Sequence, residues 1–120
     1  MSLSITPTST SSKVLIVSYF QVRIFRQAAS SGGGARILRD STTVFEPKAD
    51  TTGPYQFYFS FGGTTSEYNA HSPCHMSFLD TPATTSATTY KLQGRVYVSG
   101  SNPEFRIEGQ SSLTLMEVLP

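Results

Sequence analysis

Residues 75–98 read HMSFLDTPATTSATTYKLQGRVYV. Met76, Phe78 and Leu79 form an apolar run that Asp80, Thr81 and Pro82 close. After a polar tract, Tyr90, Leu92, Gly94, Val96 and Val98 fall on every second position, with Lys91, Gln93, Arg95 and Tyr97 between them. A period of two marks a strand with one face in the core. The tract between the two runs has no apolar side chain larger than alanine. Its proline lacks a backbone donor, and its hydroxyls can bond the chain locally. The reading is strand, long polar connection, strand, and the rest of the chain follows the same pattern.

Outward from this stretch, residues 3–5 form a short strand stopped by Thr6 and Pro7. Lys13 opens the longest apolar run, VLIVSYFQVRIF, which is long enough to require a bulge or bend near residues 18–21. Residues 27–34 (QAASSGGG) read as a flexible loop. Residues 36–39 read as a strand, Asp40 and Ser41 as a turn, and 42–46 as the return strand. A second polar loop covers 47–53, an aromatic strand 55–61, and a third loop 62–72. Strands at 74–79 and 90–98 follow, then a turn at 100–103, a strand at 105–107 stopped by Gly109, and a last strand at 112–119. About nine short strands with turn residues between them predict one all-β sandwich domain spanning residues 1–120. No window carries a helical apolar period.

Composition agrees. Ser and Thr supply 33 of the 120 residues, and there are 14 aromatics, 9 Gly and 7 Pro. Thr and aromatics suit pleated surfaces, whereas Ser, Gly and Pro suit turns. Charged residues are 14% of the chain and net charge is +1, which argues against disorder and against nucleic acid as the partner. No apolar run is long enough for a membrane span or a signal peptide. The single cysteine excludes an internal disulfide, which suits synthesis in a reducing cytoplasm.

Three stretches are apolar on both faces: the first half of the long run, YQFYFSF at 55–61, and SLTLMEVL at 112–119. One core covers one face of each strand, so the second faces predict another copy of the chain as their cover. Tyr19, Tyr58, Tyr97 and Met116 are the candidate contacts, each lying opposite the better-patterned face of its strand. Glu117 joins them, because a carboxylate inside an apolar strand needs a partner; Arg95 or Arg106, from the same chain or a neighbour, can supply one.

The segments ITPTSTSSKVLI, ARILRDSTTVF, FLDTPATTSATTYKLQGRV and SSLTLMEV, in that order, resemble the C1q/TNF-like trimeric jelly rolls of tailed-phage virions. The likeness is spread over residues 5–118. It implies a jelly roll of about 8–10 antiparallel strands, a homotrimer, and a place on the virus particle. It also implies a role as a capsid decoration (cement) protein on the outer capsid surface that binds the major capsid protein, or alternatively as the receptor-binding tip of a tail fibre. The absence of a stalk before residue 3 favours decoration. Loops 27–34 and 62–72 would read the host if the chain is a fibre tip. Arg23, Arg26, Arg36 and Arg39 read either as solvated strand edges or as contacts to an acidic capsid.

The residues show no enzyme. His71, Cys74, His75 and Met76 crowd one segment, but neighbours on a strand point to opposite faces, so no closed metal site is expected. The glycines at 32–34 lack the Lys-Ser/Thr ending and strand-to-helix setting of a phosphate-binding loop. Carboxylates are few and scattered, and nothing marks a nucleophile. No cofactor, metal, nucleic acid or membrane is expected.

Overall fold

The computed structural model describes residues 1–26, 30–47, 57–60, 68–98 and 104–120; of these, 26, 30–32, 57–60, 68 and 97–98 are described by their backbone alone. Eight strands account for the described fold, with no helix among the described residues. They are β1 (Ser2–Ile5), β2 (Lys13–Arg26), β3 (Ser30–Arg39), β4 (Thr42–Phe45), β5 (Phe57–Ser60), β6 (Tyr68–Asp80), β7 (Thr88–Val98) and β8 (Glu104–Val118). They build two antiparallel sheets. One runs β1-β7-β3-β4, with β5 also on β3; the other runs β6-β2-β8. Five of the seven connections between the described strands pass from one sheet to the other, so most consecutive strands belong to different sheets and are not hydrogen-bonded side by side. The expected all-β sandwich is present. The molecule extends 55 × 31 × 18 Å, a thin slab with broad outer faces.

Alternation explains the core. Val14, Ile16, Phe20, Val22 and Ile24 of β2 turn inward and are buried, with Ser18 among them bonding the Met76 carbonyl. Val14, Ile16, Phe20 and Val22 meet Ala35 and Ile37 of β3, Tyr90 and Leu92 of β7, and Cys74 and Met76 of β6. The β3–β4 hairpin turns on Asp40 and Ser41 as the sequence predicts. Asp40 has φ 54°, a left-handed conformation that Asp tolerates. Its backbone N–H donates to the Thr89 carbonyl at 2.7 Å, and its carboxylate accepts the Thr89 N–H at 3.0 Å.

The glycine loop is a correction. Ser30 through Gly34 belong to β3: Gly32, Gly33 and Gly34 pair with Tyr97, Val96 and Arg95 of β7, and Gly33 also pairs with Phe57 of β5. The glycines are there for space. A methyl group on Gly33 would collide with the Phe105 ring, which crosses from the opposite sheet, and Gly94 lies against the same ring. Residues 27–29 lie outside the described residues. The loop expected at 62–72 is likewise overturned for 68–72, which are the first residues of β6. β6 is an edge strand, the place where a strand admits a proline such as Pro73.

Gly109 is the second correction. It does not end a strand; β8 runs through it unbroken. Tyr19 stands opposite Ser112, and Gln21 opposite Glu108, so residues 109–111 face Phe20 alone. The bulge expected at 18–21 falls at this point, but the extra residues are on the partner strand, with Gly109 at φ 71°. Because the excess is two residues, side-chain parity survives. Phe105 and Ile107 before the bulge, and Leu113 and Leu115 after it, all pack on the core. An odd excess would have turned half the strand outward.

One buried polar network joins the sheets. Asp80, at the end of β6, accepts the Tyr90 hydroxyl at 2.7 Å and an Arg39 N–H at 2.9 Å on the same oxygen, Oδ2. Arg39 also donates to the Thr81 carbonyl. Burial, then the bond and charge of Asp80, push the Tyr90 hydroxyl far above its ordinary range, so it remains a donor.

Candidate interaction surface

The outer face of the three-stranded sheet is built by the alternate residues of β2 that the core does not take. Register sets them in rows. Leu15 stands between Leu79 of β6 and Met116 of β8, Val17 between Ser77 and Thr114, and Tyr19 between His75 and Ser112. Val118 lies opposite Lys13. Val17 is 39% exposed, Tyr19 38%, Leu79 44% and Met116 45%. A continuous apolar patch therefore covers one end of the face across all three strands. The Tyr19 and His75 rings lie 4.9 Å apart at its margin.

The other half of the same face is charged and pairs with itself. Arg23 donates to Asn69 at 3.0 Å, approaches Glu104 at 3.9 Å and lies over the Phe25 ring. Arg106 bonds Glu104 at 2.8 Å, and His71 meets Glu108 at 2.9 Å. The face is thus divided along its length into an apolar end and an internally neutralised end.

Two of the expected contacts, Tyr19 and Met116, lie in the apolar patch. The side chains of Tyr58 and Tyr97 lie outside the described residues. Glu117 does not join them. It faces the opposite side of β8 from Met116, and neither Arg95 nor Arg106 is its partner. Its carboxylate accepts the Thr8 backbone N–H at 2.7 Å and the Thr8 hydroxyl at 2.8 Å, and so clasps the turn between β1 and β2. The Ser12 hydroxyl, the Thr8 groups and the Ser9 backbone together hold the carboxyl below the ordinary carboxylate range. Ser12 Oγ is buried and completes no hydrogen bond of full geometry, so it acts on Glu117 as a nearby dipole. The expectation of a charged partner failed because alternation cannot show that a turn 109 residues away supplies neutral donors.

This clasp gives a pH signature. A carboxyl whose folded pKa lies below its unfolded value stabilises the fold at higher pH, and that stabilisation fades as pH falls through the folded value. Glu117→Gln is therefore expected to melt below wild type at pH 7. The gap should narrow as pH drops below about 4.3, the ordinary glutamate value. Melting curves at several pH values check this; a gap independent of pH would show that the carboxylate charge is not what holds the turn.

The arginines do not form one surface. Arg23 lies on the outer face of the three-stranded sheet and Arg36 on the outer face of the other, while Arg39 turns inward to Asp80. The side chain of Arg26 lies outside the described residues. Closeness in sequence misled here because β2 and β3 belong to different sheets.

His71, Cys74 and His75 are not brought together. Cys74 is in the core, where burial pushes its thiol up to about 11, so it remains protonated and unreactive. His75 faces out beside Tyr19, and His71 faces Glu108. Among the described residues no three potential ligands cluster as a metal site would need. No protein-family model, no curated protein and no solved structure matches the chain.

Proposed function

We propose that the chain is a viral structural protein: a C1q/TNF-like jelly roll that assembles as a homotrimer, decorates the outer surface of a phage capsid and stabilises it by binding the major capsid protein. The observation that carries the self-association is the apolar patch of Leu15, Val17, Tyr19, Leu79, Met116 and Val118. A patch that crosses three strands and is rimmed by polar residues is a contact surface more often than a solvated one.

An exposed apolar residue at the β1 edge favours a ring over a two-fold dimer. Leu3 pairs with the buried Tyr90 and so points to the core side, yet it is 44% exposed at the β1 edge. Face and edge are unlike surfaces on one chain. Contacts between unlike surfaces run head to tail and form rings where the rotation between copies closes, and three copies make the smallest such ring. A trimer also multiplies weak contacts to a shell by holding three copies together.

Light scattering is expected to give three times the 13.1 kDa chain mass. Val17→Glu should give the single-chain mass while keeping the wild-type circular dichroism. A wild-type mass of one chain would end the self-association reading. On purified virions, electron microscopy should find many copies at local threefold positions of the shell. A few copies confined to the tail would instead establish the fibre tip.

A further inference from the structure

The net charge of +1 conceals a segregation of charge between the two sheets. The strands of the five-stranded sheet contain no aspartate and no glutamate; their charged residues are Arg36, Arg39, Lys91 and Arg95. Every carboxylate within a described strand belongs to the other sheet: Asp80, Glu104, Glu108 and Glu117. Arg39 is spent on Asp80. The other three cations turn outward, because Lys91 and Arg95 alternate with the buried Tyr90 and Leu92, and Arg36 lies between the buried Ala35 and Ile37.

Register draws the three together. Arg36 stands opposite Gln93 and donates to its carbonyl oxygen at 2.8 Å, and also to the Thr43 hydroxyl at 3.2 Å. Lys91 and Arg95 lie two residues to either side of Gln93 on the same strand, about 7 Å away along it. Both are exposed. None of the three forms an ion pair with a described residue, in contrast to Arg23 and Arg106 on the other sheet. The neutral partners of Arg36 fix its planar fork without offsetting its charge. An open depression of about 210 Å³ beside Lys91, lined by Ser2, Leu38 and Gln93 among others, adds relief to an otherwise flat face.

We infer that the outer face of the five-stranded sheet is a docking surface for an acidic protein surface, contacted by Arg36, Lys91 and Arg95. A cluster of like charge that forms no ion pair among the described residues selects a partner of opposite sign and speeds encounter with it. A protein is the partner, because a sequence pI of 7.9 falls short of the strongly basic balance that nucleic-acid binding needs. This surface is on the sheet opposite the apolar patch; of its three cations only Lys91, which pairs with Ser2 of β1, adjoins the edge that the ring would use. The inference rests on the decoration reading only for the identity of the acidic surface, which would then belong to the capsid shell.

The test uses the full chain and immobilised poly-L-glutamate as the acidic probe. Wild type should bind at low ionic strength and release as salt shortens the screening length from about 10 Å at 0.1 M toward about 3 Å at 1 M. The double variant Lys91→Gln/Arg95→Gln should bind about tenfold more weakly with an unchanged Tm, whereas Lys91→Arg should bind as wild type. Arg23→Gln/Arg106→Gln removes the same net charge from the opposite sheet and should leave binding near wild type. Equal weakening in the two double variants would overturn the inference, since net charge alone would then be responsible. So would absence of wild-type binding, or tighter binding to a DNA duplex than to poly-L-glutamate. Light scattering on the same samples reports self-association separately, so loss of the trimer reading and loss of this surface are distinguishable.

Discussion

Asp80→Ala is expected to destabilise the fold by about 3–5 kcal/mol, toward the lower end because Arg39 keeps part of its hydration. The carboxylate of Asp80 is the joint between the sheets: one oxygen accepts both the buried Tyr90 hydroxyl and the Arg39 guanidinium. Its removal leaves a buried donor with no acceptor and a half-buried cation with no counter-charge, each a cost beyond the lost attraction. Asp80→Asn retains an acceptor and should cost less. In an Asp80→Ala background, Tyr90→Phe should add little or partly restore stability, because the orphaned hydroxyl goes with it. That non-additivity separates a network from two independent contacts. Urea unfolding of the single and double variants measures it. A cost under about 1 kcal/mol for Asp80→Ala would mean that water replaces the carboxylate freely.

The second large effect is deletion of the chain after Ser111. The deleted segment pairs with β2 from Lys13 to Tyr19, places Leu113 and Leu115 on the core, and carries the Glu117 clasp. Fully burying a leucine contributes about 1.5–3 kcal/mol, so two partly buried leucines with their strand ladder approach a domain's entire stability of about 5–15 kcal/mol. The cut also bares the apolar half of β2 along a new sheet edge, where other chains can pair. The expected product is insoluble or unfolds without cooperativity. A soluble truncated protein with a sharp melting transition would show that the sandwich closes without the second half of β8.

Strand identity was legible where a strand has one wet face. β7 alternates cleanly, and its inward residues Tyr90 and Leu92 are in the core as read. β2 was legible as well: its even positions from Val14 to Ile24 are buried, and its odd positions carry the half-buried Leu15 and the exposed Val17 and Tyr19 that the two-faced apolar pattern required. The turn at Asp40 and Ser41 was readable because its chemistry is local. Glycines were misread for one reason in both places. At Gly33 the absent side chain makes room for Phe105 of the other sheet, and at Gly109 the left-handed backbone opens a bulge against Phe20. Both causes are distant in sequence, so the letters signalled only a break.

The sequence by itself determined that the fold is all-β, which faces of its best strands are apolar, and that some apolar surface is left after the core is filled. These properties follow from alternation and turn chemistry, which act within a few residues. Only the tertiary structure decided how charges and clasps are shared out. Glu117 closes on Thr8, Asp80 on Arg39 and Tyr90, and the early arginines scatter to opposite faces while Arg36 gathers with Lys91 and Arg95. Pairing between strands far apart in the chain sets those neighbours. Alternation tells each side chain which way to point, but not which strand or which sheet it will meet there.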